Sequence, residues 1–142
     1  MPMTLNYIRI EPGRNLPDVG DLRPFRAIVI AENAVDPAWQ QAVSDWLVAS
    51  GCLYMMAWGC ACDAWDTSVD IAYLESIGFG DMPEDTFVMT TAHQGESLSD
   101  VFWFCHHVAA DPTFDLRNVL LVHIGAQNRE AELLALYRQA CT

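Results

Sequence analysis

Four times along this chain a short run rich in apolar or β-branched residues gives way to a stretch whose apolar residues return at helical spacing. That alternation narrows the choice of folds more than any other feature. Phe25–Ala31 (FRAIVIA) is an unbroken apolar run that suits a strand covered on both faces. Asp36 then offers an N-cap and Pro37 the first helical position. Trp39, Ala42, Val43, Trp46 and Leu47 form a common face, and Gly51 supplies a C-terminal stop. Residues 53–58 (LYMMAW) repeat the strand; Asp63 can cap a helix on which Trp65, Val69, Ala72, Tyr73 and Ile77 share a side, and Gly78 ends it. Residues 86–91 form a third strand, followed by a cap at Ser97 with Asp100 three residues on. Leu98, Val101, Phe102, Cys105 and Val108 line one side of that helix, and Trp103 and Phe104 widen it. Asn118–Ile124 is the fourth strand, and Asn128 caps a last helix that turns Leu133, Leu134, Tyr137 and Ala140 inward.

Strands alternating with helices of this length predict a small doubly wound α/β domain of the flavodoxin-like or Rossmann-like kind: a mostly parallel sheet of four to five strands with helices on both faces. With 142 residues and 52% hydrophobic content the chain can bury one good core, so residues 1–142 read as a single domain. Residues 1–24 contribute an edge strand (5–10) and a loop of three prolines and two glycines; residues 25–142 form the repeated strand-helix core. Strand order is not legible at this level.

The formal charge is −12, and it is unevenly spread. After residue 26 only Arg117, Arg129 and Arg138 oppose sixteen carboxylates. Such a surface repels phosphate backbones and anionic lipid heads, so nucleic-acid and membrane roles are disfavoured and a basic protein partner is favoured; charge for solubility alone is the competing reading. There is no lysine, which removes Schiff-base catalysis, pyridoxal phosphate attachment and the phosphate-loop lysine. Five cysteines are an odd number, and the first residues lack both a positive start and an apolar signal core, so a cytoplasmic setting with reduced thiols is expected. No apolar run approaches the ~20 residues that span a bilayer.

In doubly wound sheets ligands bind beyond the carboxyl ends of the strands, where strand order reverses. Glu32 and Asn33 fall there after the first long strand, Gly59 to Trp65 after the second, His93 and Glu96 after the third, and His123 to Asn128 after the fourth. Cys62 before a helix N-terminus could act as a thiolate with His93 or His123 as its base and Asp66 nearby, while Glu32, Asp63, Asp70 and Glu96 are candidate ligand-binding carboxylates. Against this, Asp63 is equally an N-cap, and acidic residues in a first helical turn are stabilised by the helix dipole. Cys60 and Cys62 are at most weak metal ligands: one residue separates them and no second pair completes a site, so no metal is expected. His106 and His107 read as exposed residues near a helix C-terminus. Neither G-x-G-x-x-G, G-x-S-x-G, C-x-x-C nor a phosphate loop is present, and no cofactor is expected.

Ala57-Trp58-Gly59, Cys62, Trp65-Asp66, Ser68-Val69-Asp70, Thr90-Thr91 with His93 and Glu96, Phe102-Trp103-Phe104 and His123-Ile124 together resemble a small bacterial family of unknown function with a tryptophan-rich layout. The resemblance implies a shared fold and a site region around Asp66, Asp70 and His93, and implies no reaction. Two functions follow as expectations. One is a binding or protein-interaction module, regulatory or immunity-like, that covers a basic partner. The other is a small enzyme using a Cys/His/Asp cluster at the carboxyl ends of the strands. Charge and the absence of a catalytic motif favour the first, and the oligomeric state stays open.

Overall fold

A computed structural model of the chain describes residues 3–83 and 85–142. Its strands are β1 (Thr4–Arg9), β2 (Phe25–Ala31), β3 (Cys52–Gly59), β4 (Met89–Ala92) and β5 (Asn118–Ile124); its helices are α1 (Pro37–Ser50), α2 (Cys62–Ser76), α3 (Leu98–His107) and α4 (Glu130–Ala140). The strands form one sheet in the order β1-β5-β2-β3-β4, and every pairing is parallel. β2 lies at the centre with all seven residues buried, as its unbroken apolar run requires. From β2 the chain winds outward through β3 to β4, then crosses back to place β5 on the other flank of β2, so strand order reverses between β2 and β5.

Alternate residues of each strand face two separate cores. Under α1 and α2 lie Ala27, Val29, Met55, Ala57, Leu120 and Val122 with Trp65 and Leu47; under α3 and α4 lie Ile28, Ile30, Met56, Val119 and Leu121 with Phe102 and Tyr137. The sheet is therefore doubly wound, with two helices on each face. A parallel connection needs a crossover, and between β1 and β2 it is not a helix. The proline-rich loop serves instead: Leu16, Val19 and Leu22 pack into the α1/α2 core, and the Trp46 indole donates to the Pro17 carbonyl at 2.8 Å.

The punctuation of α1 is as the sequence predicts: Asp36 accepts from the Ala38 amide, Pro37 opens the helix, and Gly51 closes it at φ 101°. Ser97 likewise caps α3 through the Asp100 amide. Several expectations need correction. The N-cap position of α2 is Ala61, held at φ 54° with no side-chain cap, so Asp63 is a first-turn residue and not the cap. The strand expected at residues 86–91 runs instead from Met89 to Ala92, where β4 pairs with β3 from Tyr54↔Met89 to Ala57↔Ala92. α3 stops at His107, which leaves Val108 exposed, and Trp103 is also exposed; Ala42 of α1 points to solvent. Asn128 accepts from the Glu130 amide one position ahead of Arg129, which holds the N-cap place of α4. Trp65 is 1% exposed, as a core residue should be, whereas Trp58 is only half-buried, its indole donating to the Glu96 carbonyl at 2.8 Å.

Candidate functional site

The crevice between the carboxyl ends of β2 and β5 is occupied by a closed hydrogen-bond network. His123, the penultimate residue of β5, is fully buried. Its Nδ1 lies 2.6 Å from the Tyr7 hydroxyl of β1, and its Nε2 bonds the Glu32 carboxylate just past β2. Tyr7 also accepts from the Arg129 amide at 3.0 Å, so the phenol proton goes to Nδ1 and the imidazole donates from Nε2 to Glu32. The second oxygen of Glu32 receives Arg129 NH1 at 2.9 Å, and the rest of that guanidinium grips Glu132 at 2.6 and 2.9 Å. Burial alone would raise the pKa of Glu32; the hydrogen bonds and charges of His123 and Arg129 outweigh it and hold the carboxyl below its ordinary range. The Glu132 bond, with that of Glu32, holds Arg129 above its own ordinary value.

Backbone shape makes room for this arrangement. A Cβ at Gly125 would stand 2.6 Å from both Glu32 Oε1 and His123 Nε2, so only glycine lets the pair form. Beside it, Gly59 sits at φ 97°, and a Cβ there would strike the Ala31 carbonyl at 2.1 Å. This close approach lets the Cys60 amide reach the same carbonyl at 2.7 Å and aims the exposed Cys60 thiol at the Glu32 carbonyl, 3.4 Å away.

The sequence candidates fall into three groups that do not converge. Glu32 and His123 meet at the switch point. His93 and Glu96 meet beyond β4: the Thr91 hydroxyl lies 2.7 Å from His93 Nε2, and His93 Nδ1 lies 3.0 Å from Glu96. His93 is 5% exposed and packs edge-on against Phe104 of α3. Asp66 and Asp70 meet on the opposite face, where both carboxylates lie 2.7 Å from the Thr90 hydroxyl. One hydroxyl proton serves one of these acceptors at a time, so the two carboxylates crowd the same donor. Burial, with the neighbouring Asp66 charge, raises the pKa of Asp70 against the lowering effect of Thr90.

Cys62 heads α2 as expected, but it is buried in the α1/α2 core. His93 and His123 belong to the α3/α4 face, so the sheet itself separates the thiol from either imidazole. Cys60 and Cys62 also part company, one exposed and one buried, and among the described residues no three His, Cys, Asp or Glu side chains are grouped to hold a metal ion. Asp63 is exposed in the first turn of α2. Tyr7, Arg129, Glu132, Thr90 and Thr91 complete the networks and were not legible as participants. Tyr7 and His123 share a face only because β1 pairs with β5, and no residue pattern announces that pairing.

Open space lies at the other end of the sheet. A groove of about 710 Å³ runs between the amino ends of the strands and the C-terminal ends of α1 and α2. Val48, Leu53, Ala72, Tyr73, Val88 and Phe114 give it apolar walls, and Asp45, Glu75 and Asp85 rim it with Arg23. A second cavity of about 520 Å³ lies on the α3 side of the same end, and Phe114 borders both.

No curated protein and no solved structure matches the chain. No helix among the described residues is long and apolar enough to cross a membrane. Residues 5–140 match one family over nearly the whole chain, and the protein belongs to that family, Domain of unknown function (DUF7684).

Proposed function

We propose that this protein is a binding module, and that the groove at the amino ends of β3 and β4 docks a basic protein segment through an apolar anchor. The observation that carries this reading is the pairing of apolar walls with an acidic rim. α1 and α2 end at the groove with no basic residue in either last turn, so the negative ends of two helix dipoles face it together with Asp45, Glu75 and Asp85. Arg23 is the cation of the lining, and it is tied to the carbonyls of Gly20 and Ala49. Phe87, exposed and edge-on to the Tyr73 ring of the groove wall at 5.5 Å, extends the apolar surface. An apolar side chain flanked by arginine or lysine fits such a groove, and a chain of −12 net charge draws a basic partner from a distance. The five free thiols suit a reducing cytoplasm as the place of encounter.

The test is a titration of the protein with a synthetic peptide carrying a central leucine between arginines, followed by NMR. Shifts centred on Val48, Tyr73 and Val88, weakened by salt and lost on Val88→Arg, are the expected result. Shifts confined to the Glu32–His123 rim, or none at all, would end this reading.

One arrangement speaks for the enzyme reading. Thr91, His93 and Glu96 stand as hydroxyl, imidazole and carboxylate, with Nε2 toward the hydroxyl and Nδ1 toward the carboxylate, the order that activates a nucleophile. Covalent labelling of Thr91 by an organophosphonate, abolished by His93→Ala, would move the function there.

A further inference from the structure

Arg26 is 8% exposed, yet none of the ion pairs among the described residues includes it. In a chain with 19 carboxylates and seven arginines, a buried guanidinium left without a carboxylate is costly unless something else meets it. Part of its need is met by α3: NH1 donates to the carbonyls of Cys105 at 2.6 Å and Ala109 at 3.3 Å, which fixes the plane of the group. Nε is sealed in the interior without a partner, and NH2 donates to none of the described residues. NH2 is the donor left for an oxyanion, in a charge-assisted hydrogen bond.

Arg26 forms part of the wall of the 520 Å³ cavity, a volume in the range of small-molecule sites. Val108, Ala109, Phe114 and Leu116 line it with apolar surface. Its charged wall is balanced: Arg26 and Arg117 stand against Asp111 and Asp115, and Asp111 is turned to the amides of Thr113 and Phe114. A doubly charged group would meet two aspartates and the net charge of the chain, whereas a single carboxylate asks only for Arg26 NH2.

We propose that this cavity binds a monocarboxylate with an apolar body, its carboxylate on Arg26 NH2 and its body along Val108, Phe114 and Leu116. The site is independent of the groove under α1 and α2, which shares only Phe114 with it.

The test uses three probes on the full chain: octanoate, octanol and inorganic phosphate, measured by calorimetry and by NMR titration of the His106 imidazole. His106 lines the cavity, and burial, His107 and Arg26 hold its pKa below the ordinary histidine value; a carboxylate beside it raises that pKa. Octanoate is expected to bind and raise the His106 pKa, with octanol at least about tenfold weaker. Octanol binding as tightly as octanoate, phosphate binding more tightly than either, or no binding at millimolar octanoate would each overturn the proposal. Arg26→Gln should abolish octanoate binding. Because that residue is buried, Ala110→Trp provides a second variant: it narrows the exposed wall, keeps Arg26, and should weaken octanoate about tenfold with the melting temperature unchanged. Undiminished binding in the folded Ala110→Trp protein would place the ligand elsewhere.

Discussion

Tyr7→Phe removes one oxygen and leaves two partners unserved, which makes it the sharpest probe of the network at the switch point. The hydroxyl bonds His123 Nδ1 at 2.6 Å and the Arg129 amide at 3.0 Å. The His123 ring is fully buried, so its Nδ1 has no access to water once the phenol is gone, and an unsatisfied buried acceptor costs about 1–3 kcal/mol. The Arg129 amide lies near the surface at the start of α4 and recovers a water, so its share is small. The sum is about 2 kcal/mol. An unfolding entropy of roughly 0.3 kcal/mol/K for a domain of this size converts this to a fall in melting temperature of about 7 °C. Urea unfolding followed by circular dichroism should show a lower midpoint with an unchanged slope. A loss under about 0.5 kcal/mol, the surface range, would show that the hydroxyl does not hold the imidazole. Combining Tyr7→Phe with His123→Phe supplies the control, since the His123 change is then expected to cost less in the Tyr7→Phe background than alone.

Trp65→Ala deletes a side chain that is 1% exposed and stacks edge-on with Trp39 at 6.5 Å, so chemical denaturation should record a loss of about 3–5 kcal/mol. Iodoacetamide at neutral pH should label Cys60 first, because it is exposed while burial pushes the Cys52 thiol up to about 12 and the Cys105 thiol up to about 11; mass spectrometry showing Cys62 labelled as fast as Cys60 would contradict its place in the core. The crowding of Asp70 by burial and by the Asp66 carboxylate gives a pH dependence of definite sign. The folded pKa of Asp70 lies above its ordinary 3.8, so its contribution is fully present below that value and fades as pH rises through the folded pKa. In Asp66→Asn the neighbouring carboxylate is gone and the amide can donate to Asp70, so the difference in urea midpoint between variant and parent should grow in favour of the variant from pH 4 to 7.

Much of the fold was legible because local signals and burial agree. An unbroken apolar run marked β2 as a central strand, and Asp36-Pro37 with Gly51 bounded α1 to the residue. The errors fall where tertiary geometry overrides a local preference. Asp63 is a good cap by type, but the tight approach of Gly59 to Ala31 turns the chain at Ala61, before Asp63 arrives. The rim candidates were the right residues with the wrong partners. Glu32 and His123 were both on the page as strand-end residues, but their meeting depends on β5 lying beside β2, a long-range choice that no short pattern records. Cys62 and His93 both follow strand ends in the sequence, but α2 carries Cys62 into the core on one face while His93 packs against Phe104 of α3 on the other.

The location of open space was the least legible of all, and its physics runs against the usual expectation for this architecture. At the carboxyl ends, where ligands of doubly wound sheets bind, the crevice between β2 and β5 is spanned by side chains that already satisfy one another: both nitrogens of His123, both oxygens of Glu32 and the fork of Arg129 are engaged. A ligand entering there would have to replace those bonds. The amino ends instead meet the C-terminal ends of the helices, and the two faces differ in how those ends are compensated. α1 and α2 finish without a basic residue, which leaves their negative ends and a carboxylate rim to a cation. α3 finishes beside the Arg26 guanidinium, which is bonded to the carbonyls of Cys105 and Ala109, so a cation already meets its negative end. One end of one sheet thus leaves its helix ends bare on one face and met by an arginine on the other, and the loop carrying Phe114 is the wall between them.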